Sequence, residues 1–238
     1  MRNSRGAFLP VFLFIAVVGA NNVSAQMQTS AGVQIGVNIA NASYTSAMPG
    51  VSVSARTGLL LGGIVGIALS DNVCLRAEPM YVQSGAQMDI SLGTRPESGN
   101  QSMKAVYKFE YLEIPVHGKL QFGAGVVRPY LFAGPNLGVL LAATLEEEIP
   151  SPLVPEPEFR ESGTRDIRDR FTSTNFAVDF GAGVTYDVAV DIQLIMDVRY
   201  SLGLSNIAEP PDPNDQSFQP DSWKSRDIRV LVGVLFAL

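Results

Sequence analysis

The sequence predicts an all-β fold, a closed antiparallel up-and-down transmembrane β-barrel of eight strands. Three observations lead there. Eight segments either alternate apolar and polar residues with period two or are continuously apolar, and several exceed the roughly 9 to 11 residues of a tilted transmembrane strand. The links between them alternate long and short. The composition, with 22 glycines and 15 prolines among 238 residues, suits strands joined by turns better than helices.

The N-terminus sets the compartment. Arg2 and Arg5 precede the apolar run AFLPVFLFIAVVG, and Val23–Ala25 ends it with the small-x-small pattern of a signal-peptidase site. Residues 1–25 are therefore expected to be a cleaved signal peptide, with the mature chain starting at Gln26. The run from Ala7 to Gly19 is shorter than the roughly 20 residues of a spanning helix, and so is GLLLGGIVGIAL at Gly58 to Leu69, which Arg56 and Asp71 bound. The leader removes two of the 17 basic residues and no acidic one, so the mature chain sets 15 basic against 23 acidic residues, a net −8. That balance argues against nucleic acid as a partner. Cys74, the single cysteine, has no internal disulfide partner and is expected to be a buried spectator in a strand.

The candidate strands are Gly32–Ala40, Arg56–Leu69, Val73–Leu92, Val106–Phe122, Arg128–Ala142, Asn175–Tyr186, Val190–Leu204 and Arg226–Leu238. Three links are short: Ser70–Asn72, Gly123–Val127 and Asp187–Ala189. Four are long and polar: residues 41–55, 93–105, 143–174 and 205–225. A closed barrel with both termini on one side sends every odd link to the opposite rim, and outer-membrane barrels carry short periplasmic turns and long external loops.

Strand faces make an independent case. In the last strand Ile228, Val230, Val232, Val234, Phe236 and Leu238 share one face; in the seventh, Ile192, Leu194, Met196, Val198 and Tyr200 do, leaving Asp191, Gln193, Asp197 and Arg199 opposite. The sixth puts Phe176, Val178, Phe180, Ala182, Val184 and Tyr186 outward. The second and fifth, apolar on both faces, do not discriminate. One face suits lipid and the other a polar interior.

The same parity applied to YKFEYLEIPVHGKLQF, Tyr107 to Phe122, points Leu112, Ile114, Val116, Leu120 and Phe122 at lipid and Glu113, Pro115, His117, Lys119 and Gln121 into the lumen. It also places Arg76, Glu78, Asp179, Asp191, Asp197, Arg199, Asp227 and Arg229 inside. An eight-stranded barrel has an interior that side chains fill, and charges there need partners. Acids and bases are mixed, which predicts a pairing network rather than an ion-selective pore. Proline cannot donate to a central ladder, so a bulge or a missing bond is expected at Pro115, and also at Pro79 and Pro135.

The stretch YLEIPVHGKL, Tyr111 to Leu120, resembles the Y-L-E-I-P-x-x-x-K signature of the PorT-like outer-membrane β-barrel proteins of Bacteroidota. So do GVQIGVNIA near the mature start, LRAEPMYVQSGA at Leu75 to Ala86, RPYLFAGPNLGVLL at Arg128 to Leu141, DFGAGV at Asp179 to Val184 and VRYSLGLSNI at Val198 to Ile207. The resemblance covers nearly all of residues 26–238. It implies a barrel in the outer membrane, commonly labelled porin-like, and for the namesake a part in secretion.

An enzyme is not expected, nor is a cofactor or a metal. His117 is the only histidine and heads toward a short turn, with Glu113 and Gln121 as its expected hydrogen-bond neighbours, an arrangement that fits a structural chain better than a general base. The lone histidine, lone cysteine and scattered carboxylates lack ligand spacing. The links EEEIPSPLVPEPEFRESGTRDIRDR, Glu146 to Arg170, and AEPPDPNDQSFQPDSW, Ala208 to Trp223, are acidic and proline-rich, as solvated external loops are. Phe159, Phe171, Phe218 and Trp223 are their candidate contact residues. The expected role is a small monomeric structural or interaction barrel in outer-membrane lipid, with envelope or secretion-machinery proteins as partners. A narrow pore for small solutes and a soluble exported lipocalin-like binder are the alternatives.

Overall fold

The structure, a computed structural model, describes residues 28–45, 51–95, 99–148, 163–208 and 222–238. Ten strands form one antiparallel sheet: β1 Thr29–Thr45, β2 Val51–Ala68, β3 Val73–Ala77, β4 Met80–Arg95, β5 Gly99–Gln121, β6 Val127–Glu148, β7 Thr164–Asp166, β8 Thr174–Ala189, β9 Ile192–Gly203 and β10 Ser222–Ala237. Each principal strand pairs with its sequence neighbours. The first and last close the ring, from Ser30 opposite Ala237 to Thr45 opposite Ser222.

The ring has eight staves because β3 and β4 are one stave. Both pair with β2 and with β5 in continuous register, Ala77 opposite Val116 and Met80 opposite Glu113. The expected single strand Val73–Leu92 is thus interrupted at Glu78 and Pro79. Proline has no amide hydrogen to give, but the gap stays tied to both flanks: Gly63 N–H donates to Pro79 O (2.9 Å) and Glu78 N–H to Pro115 O (3.0 Å). β7 is a three-residue addition to the upper edge of β6.

Two other proline expectations resolve differently. The β5–β6 register shift falls at Glu110 and Tyr111, not at Pro115. What the prolines do is interrupt the ladder: pairing runs to Pro115 opposite Asn136 and resumes at Gly118 opposite Ala133. There the backbones crowd together, for a Cβ on Gly134 would lie 1.9 Å from Val116 O. Only glycine permits that approach.

The strands also run further into the long links than their alternation suggests, since β4 and β5 continue to Arg95 and from Gly99, and β6 reaches Glu148. Hydrogen-bonded hairpins thus rise beyond the part of the wall that is apolar. Residues 1–27, which include the expected signal peptide, lie outside the described residues.

Outward-facing apolar side chains form a band of even height. On β5 it runs from Leu112 to Phe122, on β8 from Phe176 to Tyr186, and on β10 from Ile228 to Leu238, exposed at both ends of each row with Val116, Val178, Val184, Val230 and Val234 half-buried between them. Ten residues at about 3.3 Å each, tilted about 40°, give roughly 25 Å, the height of the apolar belt of a membrane barrel. On the undecided second strand, Leu59, Leu61 and Val65 are exposed and Leu60 and Ile64 buried. A continuous apolar exterior of this size excludes a water-soluble lipocalin-like barrel.

Candidate functional site

The strand alternation that sends apolar side chains to lipid turns the opposite face into an interior packed from end to end. Nine of the residues expected in the lumen are buried there, Arg76, Glu78, Glu113, His117, Lys119, Asp179, Asp197, Arg199 and Arg229, none more than 6% exposed, while Gln121 at the turn end of β5 is half-buried. Asp227 joins them. Asp191 does not: it sits exposed in the β8–β9 turn, because the turn ends the alternation one residue before the strand begins.

The charges form one connected chain. Arg76 links Glu78 to Asp197 (2.9 Å to Asp197), and Arg199 links the same two carboxylates at 2.8 and 3.0 Å. Glu78 also accepts from Gln34 Nε2 (2.9 Å) and faces His117 Nδ1 at 3.4 Å. His117 Nε2 lies 3.4 Å from Asp179. Asn136 Nδ2 donates to Glu113 (2.6 Å) and contacts Asp179 (3.2 Å). Arg229 grips Glu113 with both ends of its fork, 2.6 and 3.0 Å, and reaches Asp227 at 3.2 Å. Asn38 Nδ2 completes the chain at Asp227 (3.4 Å). Seven of the eight staves contribute a side chain. β2 instead supplies apolar Leu60 and Ile64.

Two expected contacts are replaced. His117 meets Glu78 and Asp179 rather than Glu113 and Gln121, because its ring lies sideways between the neighbouring stave, which carries Glu78, and Gly134 on β6, beyond which stands Asp179. It packs 5.0 Å from the Phe132 ring. Among the described residues Lys119 is joined to no carboxylate: it donates to Thr185 Oγ1 (3.1 Å) and stands 3.9 Å from the centre of the Tyr130 ring. The Arg76 and Arg199 guanidiniums likewise lie 5.5 and 5.2 Å from the centre of Phe132. Aromatic faces thus help to carry cations in the buried interior.

Above the charges, toward the long links, the interior turns apolar. Tyr107, Phe109 and Tyr111 on β5 face inward; the Phe109 centroid lies 4.7 Å from Phe171, 5.5 Å from Trp223 and 6.3 Å from Tyr111, and Tyr107 lies 5.1 Å from Trp223. Met88, Leu140, Leu145, Ile167 and Ile207 fill the gaps. Phe171 and Trp223, read as candidate contact residues, are 5% and 2% exposed, so they are core, not surface. Phe159 and Phe218 lie outside the described residues.

This plug is built from link bases folded inward. Ile167 N–H donates to Ala143 O (3.0 Å), Thr172 N–H to Ile207 O (2.8 Å) and Ile207 N–H to Trp223 O (3.0 Å), while Asn206 Oδ1 accepts from Trp223 N–H (2.8 Å). Phe171 bridges to Ala208. Two acidic links therefore each deliver a buried aromatic. The parity that assigned Glu113 and His117 to the lumen, continued upward, assigns Tyr107, Phe109 and Tyr111 there too; Phe171 and Trp223 carried no such signal because they sit in polar links. At the turn end Ile64, Ile195 and Leu235 form a smaller apolar cluster.

Chemically, the arrangement binds staves to one another and occupies the bore. Mixed charges close on themselves, aromatic rings close the loop end, and His117 at zero exposure has no contact with solvent.

Comparison with known proteins agrees on the setting. The family model described as outer membrane protein beta-barrel domain matches residues 24–209. Solved structures with similar folds include OprG from Pseudomonas aeruginosa (12% identity, 89% of this chain and 96% of that one, TM-score 0.46) and Neisserial surface protein A (16%, 87% and 96%, 0.45). AlkL, an outer membrane protein whose structure was determined in lipid bilayers, covers 100% of this chain and 97% of its own at 12% identity and a TM-score of 0.43. No curated protein matches the chain. With the family match spanning most of its length and an eight-stave ring wrapped in an apolar band, the chain belongs to the outer membrane protein beta-barrel domain family and resides in the outer membrane.

Proposed function

We propose that this chain is a non-conducting barrel of the PorT-like type, a structural and interaction protein that serves secretion or envelope assembly through its external links and periplasmic rim. One observation carries the proposal: the bore is occupied along its length by the ion-pair chain and the aromatic plug, which leaves the surfaces at the two ends for function. In this proposal residues 1–25 are cleaved after Ala25 on export, the barrel is a monomer, and its partners are envelope or secretion-machinery proteins. It needs no cofactor and catalyses no reaction. His117, held between Glu78 and Asp179, is a strut rather than a general base.

The test is capture of the tagged chain from intact outer membranes, in native form and with residues 149–162 and 209–221 replaced by short Gly-Ser links. A stoichiometric envelope partner, lost when the links or the turns around Ser70, Gly125 and Val188 are altered, is the expected result. A chain that purifies alone from both forms, in cells whose uptake of a small solute falls when it is deleted, refutes the proposal in favour of a transport role.

A further inference from the structure

We propose that the outer surface of β1 and β10, at the upper edge of the apolar band, binds the phosphate groups of outer-leaflet lipid. The residues are Asn41, Ser43, Lys224 and Arg226. They continue the outward-facing rows that begin with Ile39 on β1 and Ile228 on β10, and the sheet pairs Asn41 with Arg226 and Ser43 with Lys224. Side chains directly opposite in such a pair have Cβ atoms about 5 Å apart. Two cations, an amide and a hydroxyl thus crowd an area the size of one phosphate.

Depth selects the ligand. The β10 band ends at Ile228, so Arg226 is the first outward residue beyond the hydrocarbon and stands at headgroup level, with Lys224 one row further out. Long links mark this end as external, which puts the patch against the outer leaflet.

The Arg226 head is already positioned. Its Nη1 donates to Gly203 O (2.8 Å) and Ser225 O (2.9 Å), fixing the guanidinium while Nε and Nη2 remain for another acceptor. A planar fork held this way suits phosphate oxygens. Asn41 Oδ1 accepts from Ala42 N–H (2.8 Å), which leaves its amide hydrogens to donate outward.

Among the described residues neither Lys224 nor Arg226 has a carboxylate within ion-pair distance, and the outward neighbour of Arg226 on β9 is Leu202. Across the barrel the same level is self-neutralised: Lys108 pairs with Glu146, and Arg56 faces the charges of Glu146 and Glu110. At the turn end the remaining cations are engaged, Arg128 with Asp187 and Lys119 inside the lumen. Among the described residues this sector therefore presents two cations with no carboxylate in ion-pair reach beside an apolar wall, which is the complement of a phosphorylated lipid. The inference depends on the outer-membrane setting and not on the proposed role.

The test places the full chain in phosphatidylcholine nanodiscs doped with lipid A, or with the same lipid A after its phosphates are removed, and reads lipid retained on the protein by native mass spectrometry. Each cation near a charged surface is worth about fivefold, so the pair gives the phosphorylated lipid a preference of roughly 25-fold. In K224Q/R226Q that preference falls to within about twofold, while K108Q keeps it. Equal retention of the two lipids by the unaltered chain overturns the proposal without recourse to any variant, and so does a folded double variant that keeps the preference.

Discussion

Replacing Glu113 by alanine tests the lumen network at its most engaged carboxylate. Glu113 receives both ends of the Arg229 fork, at 2.6 and 3.0 Å, and Asn136 Nδ2 at 2.6 Å, in a side chain 3% exposed. Its loss leaves the Arg229 charge buried with Asp227 as the remaining direct partner, at 3.2 Å. Breaking a buried pair by removing one member costs about 3 to 5 kcal/mol, and because Asp227 persists the lower end applies, about 3 kcal/mol. Urea unfolding from lipid vesicles measures this through the fluorescence of Trp223, the only tryptophan, which the plug buries. With a slope of about 2 kcal/mol per molar urea, the midpoint falls by about 1.5 M. The control Glu147→Ala, at the half-exposed upper end of β6, stays within about 0.5 kcal/mol of the native chain. Replacing both partners, Glu113→Leu with Arg229→Met, restores most of the loss, since an apolar pair strands no charge. Equal midpoints for Glu113→Ala and Glu147→Ala would refute the network as a source of stability.

Three further perturbations follow from the packing. Gly134→Ala pushes a methyl to within 1.9 Å of Val116 O and should cost about 1 to 3 kcal/mol by overpacking, measured by the same urea titration; no change means that the strands do not approach this closely. Trp223→Ala removes the ring shared by Tyr107, Phe109 and Phe171 and should cost about 3 to 5 kcal/mol, seen as a lower temperature for the gel shift on heating, whereas an unchanged shift would return Trp223 to the surface. Replacing residues 149–162 with a short Gly-Ser link should leave the heat-modifiable band intact, because closing a loop costs little that depends on its length; deleting 164–171 should weaken it, since that segment carries Ile167 and Phe171 into the plug.

Much of this was legible because a membrane barrel reports its two faces separately. On β5 from Leu112 to Leu120 and on β9 from Met196 to Tyr200 apolar residues alternate with polar or charged ones, Pro115 apart, so Glu113, His117, Lys119, Asp197 and Arg199 could be assigned to the lumen by counting in twos. The count fails where the backbone leaves the strand. Asp191 fell on the right parity but in a turn, and Pro79 divided a stave that the pattern joined. Partner choice was less legible still: His117 lies nearest in sequence to Glu113 and Gln121, yet turns sideways to Glu78 on the neighbouring stave and over Gly134 to Asp179 on the next but one, because the stagger between staves sets which side chains meet. The plug was hidden in composition. Phe171 and Trp223 sit among acids and prolines that read as solvent-exposed, and only the backbone bonds linking Thr172, Ile207 and Trp223 bring them inside.

The central claim is that side chains close the bore, and electrical recording tests it most directly. Purified, heat-modifiable protein reconstituted in a planar bilayer should give no steady conductance above the bare membrane, at either polarity and over a range of salt, because the ion-pair chain and the aromatic plug leave no continuous water path. Stable, uniform open-channel steps that persist at saturating protein purity and grow with salt would contradict the account, showing that the lumen conducts and that its charges line a pore.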